Sequence, residues 1–109
     1  MSVRFAYMTA GSADEARRIS RDLVEKRLAA CVNIIDGMVS VYRWEGGIQE
    51  DSEVVLIAKT TDSALPALVK RVSAIHSYRT PCVAVLPIEG GNGDFIQWIE
   101  SEVKAAEDP

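Results

Sequence analysis

The residues with the widest chemical range in this chain fall in one short stretch, HSYRTPC (76 to 82). His76 is the only histidine, Cys82 is one of two cysteines, and Tyr78 and Arg79 lie between them. Imidazole and thiolate are ligands that suit copper and zinc, so His76 and Cys82 would supply two ligands of a site completed by a neighbouring chain. In another role His76 is an acid, Arg79 an anion binder and Tyr78 a proton donor, the minimum for an enzyme. A plainer reading makes the stretch a joint between helix and strand. There His76 faces the dipole at a helix C-terminus and hydrogen-bonds a backbone carbonyl, while Pro81 forces the residue before it into extended geometry.

Outside this stretch the candidates are fewer. Cys31, in LAACVNI, sits among small and apolar residues and reads either as a small buried hydrophobe or as a metal ligand where three copies converge. Tyr42, Trp44, Tyr78 and Trp98 combine apolar bodies with polar tips, which suits both a ligand cleft between subunits and interface packing. Lys59 follows the apolar run VVLIA, placed to bind an anion, to pair with a carboxylate of an adjacent chain, or to reach solvent. There is no GxSxG elbow, HExxH, GxxxxGKS or helix-opening GxGxxG. Action by binding, not catalysis, is the expectation.

Composition narrows the partners. The chain has 109 residues, 48% of them hydrophobic, enough for one domain with a real core and too few for two. A formal net charge of -4 gives no basic excess to hold a phosphate backbone, so nucleic acid is not expected as a partner. No apolar run reaches the roughly 20 residues that span a bilayer, and the N-terminal residues resemble a strand more than a signal peptide. No membrane association and a cytoplasmic location are expected, with both cysteines as free thiols.

The elements that must position these residues follow from periodicity. VRFAYMT reads as a first strand. Ser12 and Glu15 have capping-box spacing, and the helix they open should run to about Leu28 with Ala16, Ile19, Leu23 and Leu28 inward and Arg17, Arg18, Arg21 and Lys26 outward. A β-rich run from Ala30 bends or bulges at Asp36-Gly37, turns at Glu45-Gly46-Gly47 and returns as Ile48 to Lys59, whose VVLIA centre implies a central strand. Ser63 and Pro66 open a second helix ending near His76, with Leu65, Leu68, Val69, Val72 and Ile75 inward. Pro81 to Ile88 is a last strand, kept at an edge or strand end by Pro87. Asp94 to Glu107 is a final helix with Phe95, Trp98, Ile99 and Val103 as its buried stripe.

The order is that of an α+β, ferredoxin-like β-α-β-β-α-β sandwich with an additional C-terminal helix on an antiparallel sheet. Right-handed crossovers put strands one and three in the middle. Thr9, the Trp44 to Gly47 hairpin and HSYRTPC then gather at one end of the sheet. Cys31 and Cys82 start edge strands at opposite ends, too far apart for a disulfide.

Three blocks carry a resemblance as well: LVEKRLAACVNI (23 to 34), VYRWEGGIQEDSEVVLIAKT (41 to 60) and HSYRTPCVAVLPIEGGNGDFIQWI (76 to 99). In order and spacing they resemble the CutA divalent-ion tolerance proteins over nearly the whole chain. The resemblance implies a single CutA-type domain over residues 1 to 109, assembled as a tight homotrimer. It implies binding of copper or another divalent metal ion in the response to excess metal, with none required for folding and no established reaction. A long edge strand carrying Val39, Val41, Tyr42 and Trp44 independently asks for a covering chain. The family's usual H-P-Y-E-x-P-E block is altered here, with Ser77, Arg79 and Cys82 in place of a proline and two glutamates. That exchange disfavours hard cations and favours soft ones such as Cu(I). The alternative is a trimeric regulatory or scaffolding module that binds a small molecule or a protein at its subunit clefts.

Overall fold

In the computed structural model, which describes residues 2–104, four strands form one antiparallel sheet. They are β1 (Val3–Ala10), β2 (Cys31–Trp44), β3 (Gly47–Thr61) and β4 (Val83–Pro87), in the order β2-β3-β1-β4. Helices α1 (Ala13–Glu25), α2 (Leu65–Ile75) and α3 (Gly93–Glu102) complete the ferredoxin-like α+β arrangement, with β1 and β3 central as the crossover rule requires. Alternation decides what each sheet face packs against. Ala6, Met8 and Ala10 of β1, with Val54, Leu56 and Ala58 of β3, meet Ile19 and Leu23 of α1 and Leu68 and Val72 of α2. A second, smaller core joins Val3 and Ala30 to Ala64 and to Ile99 and Val103 at the end of α3, with Phe5 packed beside them.

Strand lengths are unequal, and this shapes the molecule. β1 ends opposite Val54, whereas β2 and β3 continue as a pair from Met38↔Glu53 to Trp44↔Gly47. The pairing slips between Ile35 and Met38, where Gly37 has φ 82° and Asp36 Oδ1 accepts the Gly37 amide at 2.7 Å. This is the expected bulge, and it adds bend and twist to the edge strand. At the tip Glu45 and Gly46 both have positive φ (50° and 79°), the geometry of a two-residue type I′ hairpin. Beyond the sheet the ribbon exposes Val39, Val41, Trp44 and Ile48, each more than half accessible.

Several boundaries differ from the expectation for local reasons. α1 stops at Glu25 because Arg27 adopts φ 58°, and Leu28 closes the turn by donating to the Leu23 carbonyl at 2.9 Å. Arg27 accepts that backbone conformation while its guanidinium holds the end of α3, donating to the Glu102 carbonyl at 2.9 Å and pairing with the Glu102 carboxylate at 3.2 Å. α3 ends at Glu102, where Val103 turns extended and Lys104 donates to the Arg27 carbonyl; the expected residues 105 to 107 of that helix lie outside the described residues. β4 is shorter than Pro81 to Ile88. In α2, Val69 lies on the flank, 38% exposed, because Leu68 and Val72 centre the buried stripe. The largest correction is in α3. Phe95 and Trp98 stack on each other at 5.9 Å between centroids and are about 40% exposed, since Ile96, Ile99 and Val103 form the inward stripe.

The helices are tied to each other at Asp22. Its carboxylate accepts two bonds from the Arg71 guanidinium, at 2.8 and 2.7 Å, and one from Lys26 at 3.2 Å. The fork to Arg71 is the larger cause, with Lys26 adding to it, and together they hold Asp22 at about 2 against its ordinary 3.8. A depressed carboxyl stabilises fully above its unfolded value and loses that contribution as pH falls through the folded one. Arg71 is 35% exposed, so solvent screening limits the clamp to on the order of 1 kcal/mol. Denaturant melts of Asp22→Asn against the parent should therefore differ by about that much at pH 7, and the gap should close between pH 3.8 and 2.

Candidate functional site

The joint after α2 is built on a buried carboxylate. Ser12 caps α1, its hydroxyl accepting the Glu15 amide at 3.1 Å, so half of the expected capping box forms. The Glu15 side chain does not turn back in the usual way. It reaches across to the end of α2, where Ser77 donates its amide at 2.7 Å and its hydroxyl at 2.8 Å. Burial alone would raise the Glu15 carboxyl; the two Ser77 bonds and the Gly11 amide outweigh it and lower it. A proline at position 77 would have neither an N–H nor a hydroxyl, so both donors depend on the serine that this chain carries.

His76 lies inside the same joint, its side chain only 1% exposed. Its Nε2 sits 2.8 Å from the Thr9 carbonyl, which can only accept, so Nε2 carries the proton. Its Nδ1 then accepts the Tyr78 amide at 2.9 Å. Both ring nitrogens are engaged and the ring is closed off from solvent. The Tyr78 ring lies beside it, tilted by 52° with centroids 4.7 Å apart, and extends over Gly11, where an added Cβ would come within 3.2 Å of the Tyr78 hydroxyl.

From that joint Tyr78 reaches the ribbon and closes a cleft of about 610 Å³. One wall is the ribbon, with Tyr42, Trp44, Asp51 and Glu53 on one face. The other is the joint, with Tyr78, Arg79, Thr80 and Cys82, and Thr9 and Gly11 form the floor. Tyr42 donates its hydroxyl to Asp51 Oδ2, and Tyr78 donates to Glu53 Oε2 at 3.0 Å. The bond to Asp51 raises the Tyr42 hydroxyl. Burial first, then the bond to Glu53, push Tyr78 up to about 12. Both phenols are therefore fixed donors at neutral pH.

Among the sequence candidates, Tyr42, Trp44, Tyr78 and Cys82 come together in this cleft, and His76 supports it from behind. Lys59 does not join them. It is paired with Phe5 and Cys31 across the sheet at the far end, 6% exposed instead of reaching solvent, with Asn33 Oδ1 as its partner and the Phe5 ring 5.5 Å away. Trp98 is on α3, and Cys31 lies at the Lys59 end. The two thiols are free, Cys82 exposed and Cys31 half-buried. Among the described residues no three His, Cys, Asp or Glu side chains come together to hold a metal ion. Within a single chain, then, the donor set does not fit a closed metal site, because His76 has no spare nitrogen and the thiols stand apart.

Sequence reasoning missed Asp51, Glu53 and Glu15. The alternation in QEDSE opposite MVSVY was the available signal for the first two, since directly paired strand residues share a face. Glu15 gave no signal, as its cap spacing pointed to a local role. If Glu15 anchors the joint, Ser77→Ala should cost about 1–2 kcal/mol in denaturant melts. Glu15→Gln should flatten the acid limb below the ordinary glutamate value of 4.5, because the parent's contribution is complete above that pH and is lost as pH falls through the lowered folded value.

The arrangement has known relatives. A family model described as CutA1 divalent ion tolerance protein matches residues 4–102. A divalent-cation tolerance protein CutA of Thermus thermophilus is 48% identical over 92 residues, covering 84% of this chain and 89% of its own. Protein CutA of Homo sapiens is 43% identical over 107 residues, and here the chain spans only 60% of the relative's length. The solved structure of the periplasmic divalent cation tolerance protein CutA from Archaeoglobus fulgidus superposes with a TM-score of 0.90 at 43% identity, covering 94% of this chain and 99% of that one. With its sheet order, its three helices and nearly its whole length matched, this chain belongs to the CutA1 divalent ion tolerance family.

Proposed function

We propose that the protein works as a homotrimer in the cytoplasm, taking part in the response to metal ions by binding divalent or soft, copper-type ions rather than by catalysing a reaction. Family membership supports the role in metal-ion response. The observation that carries the assembly is the β2–β3 ribbon. It stands beyond the sheet as an isolated pair of strands, with exposed apolar residues on both faces, and a lone two-stranded hairpin is marginal in water. Covering the face that carries Val39, Val41 and Ile48 with a second and third copy removes most of the exposed apolar surface and the open edge of β2, and leaves the Tyr42 and Trp44 face to the cleft.

Metal ligation on this reading draws on more than one chain. The exposed Cys82 thiol at the cleft mouth is the soft ligand each copy offers, and it suits a reducing compartment. Action by binding accords with His76, whose nitrogens are committed to Thr9 and Tyr78, so the imidazole is not free to serve as an acid or base at the cleft. A second reading, a regulatory module that binds a small molecule, is favoured by the cleft itself, whose size and mixed aromatic and charged lining suit a ligand.

Light scattering on the 11.9 kDa chain should return three times that mass, and Ile48→Asp in the exposed ribbon should lower it. Equilibrium dialysis of the reduced protein against Cu(I), Cu(II) and Zn(II) should give saturable uptake of soft ions that Cys82→Ser reduces. A monomeric parent would remove the assembly, and uptake unchanged by Cys82→Ser would remove the thiol site.

A further inference from the structure

The cleft between ribbon and joint carries charges of both signs on facing walls, and its lining says more than that something fits. We propose that it binds a small zwitterion of the α-amino-acid class with an apolar or aromatic side chain. This rests on the second reading above, the cleft as a small-molecule site.

On the ribbon wall, Asp51 and Glu53 each accept one tyrosine hydroxyl on a single carboxylate oxygen. A carboxylate offers about four acceptor positions, so both retain capacity for an ammonium group. Tyr42 and Tyr78 hold these carboxylates in place, and the tyrosine rings with Trp44 present aromatic faces to the same space. Aromatic faces and carboxylates attract the same partner, an organic cation. On the opposite wall Arg79 makes no ion pair or hydrogen bond among the described residues, and its guanidinium is suited to a carboxylate.

Charge decides between ligand classes. A simple amine satisfies the ribbon wall and is repelled by Arg79. A simple carboxylate satisfies Arg79 and faces two like charges. A zwitterion satisfies both walls, with its ammonium toward Asp51 and Glu53 and its carboxylate toward Arg79. Trp44, 59% exposed, then offers its indole face to the apolar remainder of the ligand. The volume of about 610 Å³ is within the range of small-molecule sites.

The test uses the full chain in a buffer containing EDTA, so that no ligand enters as a metal complex. Phenylalanine, phenethylamine and 3-phenylpropionate share a ring and differ in charge; each is titrated by calorimetry while the Trp44 indole resonance is followed by NMR. The expected result is saturable binding of phenylalanine that shifts the Trp44 signal, with both analogues weaker by about tenfold or more. Arg79→Gln should erase the preference over phenethylamine, and Glu53→Gln should weaken phenylalanine while narrowing its advantage over 3-phenylpropionate. Equal binding of phenylalanine and phenethylamine, unaffected by Arg79→Gln, overturns the zwitterion and leaves the cleft as an amine site. If none of the three shifts the Trp44 resonance at millimolar concentration, the zwitterion falls, whereas the small-molecule reading of the cleft falls only if ligands of other chemistry leave that resonance unmoved too.

Discussion

The length mismatch between strands is the constraint on which the rest of this molecule depends. β1 stops where the chain must turn into α1, and β4 is shorter still, so only the β2–β3 pair continues. Had all four strands ended together, the HSYRTPC stretch would face solvent. Because the ribbon projects, it stands opposite that stretch, and the space between becomes a cleft with Thr9 and Gly11 as floor. The same projection leaves apolar residues on both faces of two unsupported strands, a large exposed area for a single chain and the physical reason to expect further copies.

A wall is useful only if it is fixed, and two buried polar groups fix this one. An ionised carboxylate out of water without partners costs several kcal/mol, whereas a hydrogen bond to a charged group returns about 1.5–3. Two such bonds from Ser77 bring the burial of Glu15 near balance, and the result is geometric definition more than net stability. His76 adds the same logic in neutral form, one nitrogen donating to Thr9 and the other accepting from Tyr78. Together they lock α2's end to β1 and to the start of α1, which aims Tyr78 across Gly11 toward Glu53. Asp22 and Arg71 keep the two helices in register behind this joint.

Much of this was legible in the chain. Alternation and helical periodicity are local properties, so the element order, the central place of VVLIA in β3, the Asp36-Gly37 bulge and the turn at Glu45-Gly46 could be read directly. Crossover handedness then placed Thr9, the hairpin and HSYRTPC at one end. What failed was amphipathic detail at the rim. Val69, Phe95 and Trp98 lie one step off the centre of their helix stripes, and whether a flank residue is buried depends on what the neighbouring elements leave uncovered.

By itself, then, the sequence determined which residues form strands and helices, their order in the sheet, the free state of both cysteines and the family to which the chain belongs. Tertiary structure alone decided that Glu15 abandons half its capping box for Ser77, that His76 has both nitrogens occupied, and that Lys59 is buried at the end away from the cleft. It alone set Asp51 and Glu53 against Tyr42 and Tyr78. The physical reason is common to all of these. Backbone preference and periodicity act over a few residues, but the partner of a buried polar side chain is whatever the fold brings within 3 Å, and for Glu15 that partner lies 62 positions away along the chain.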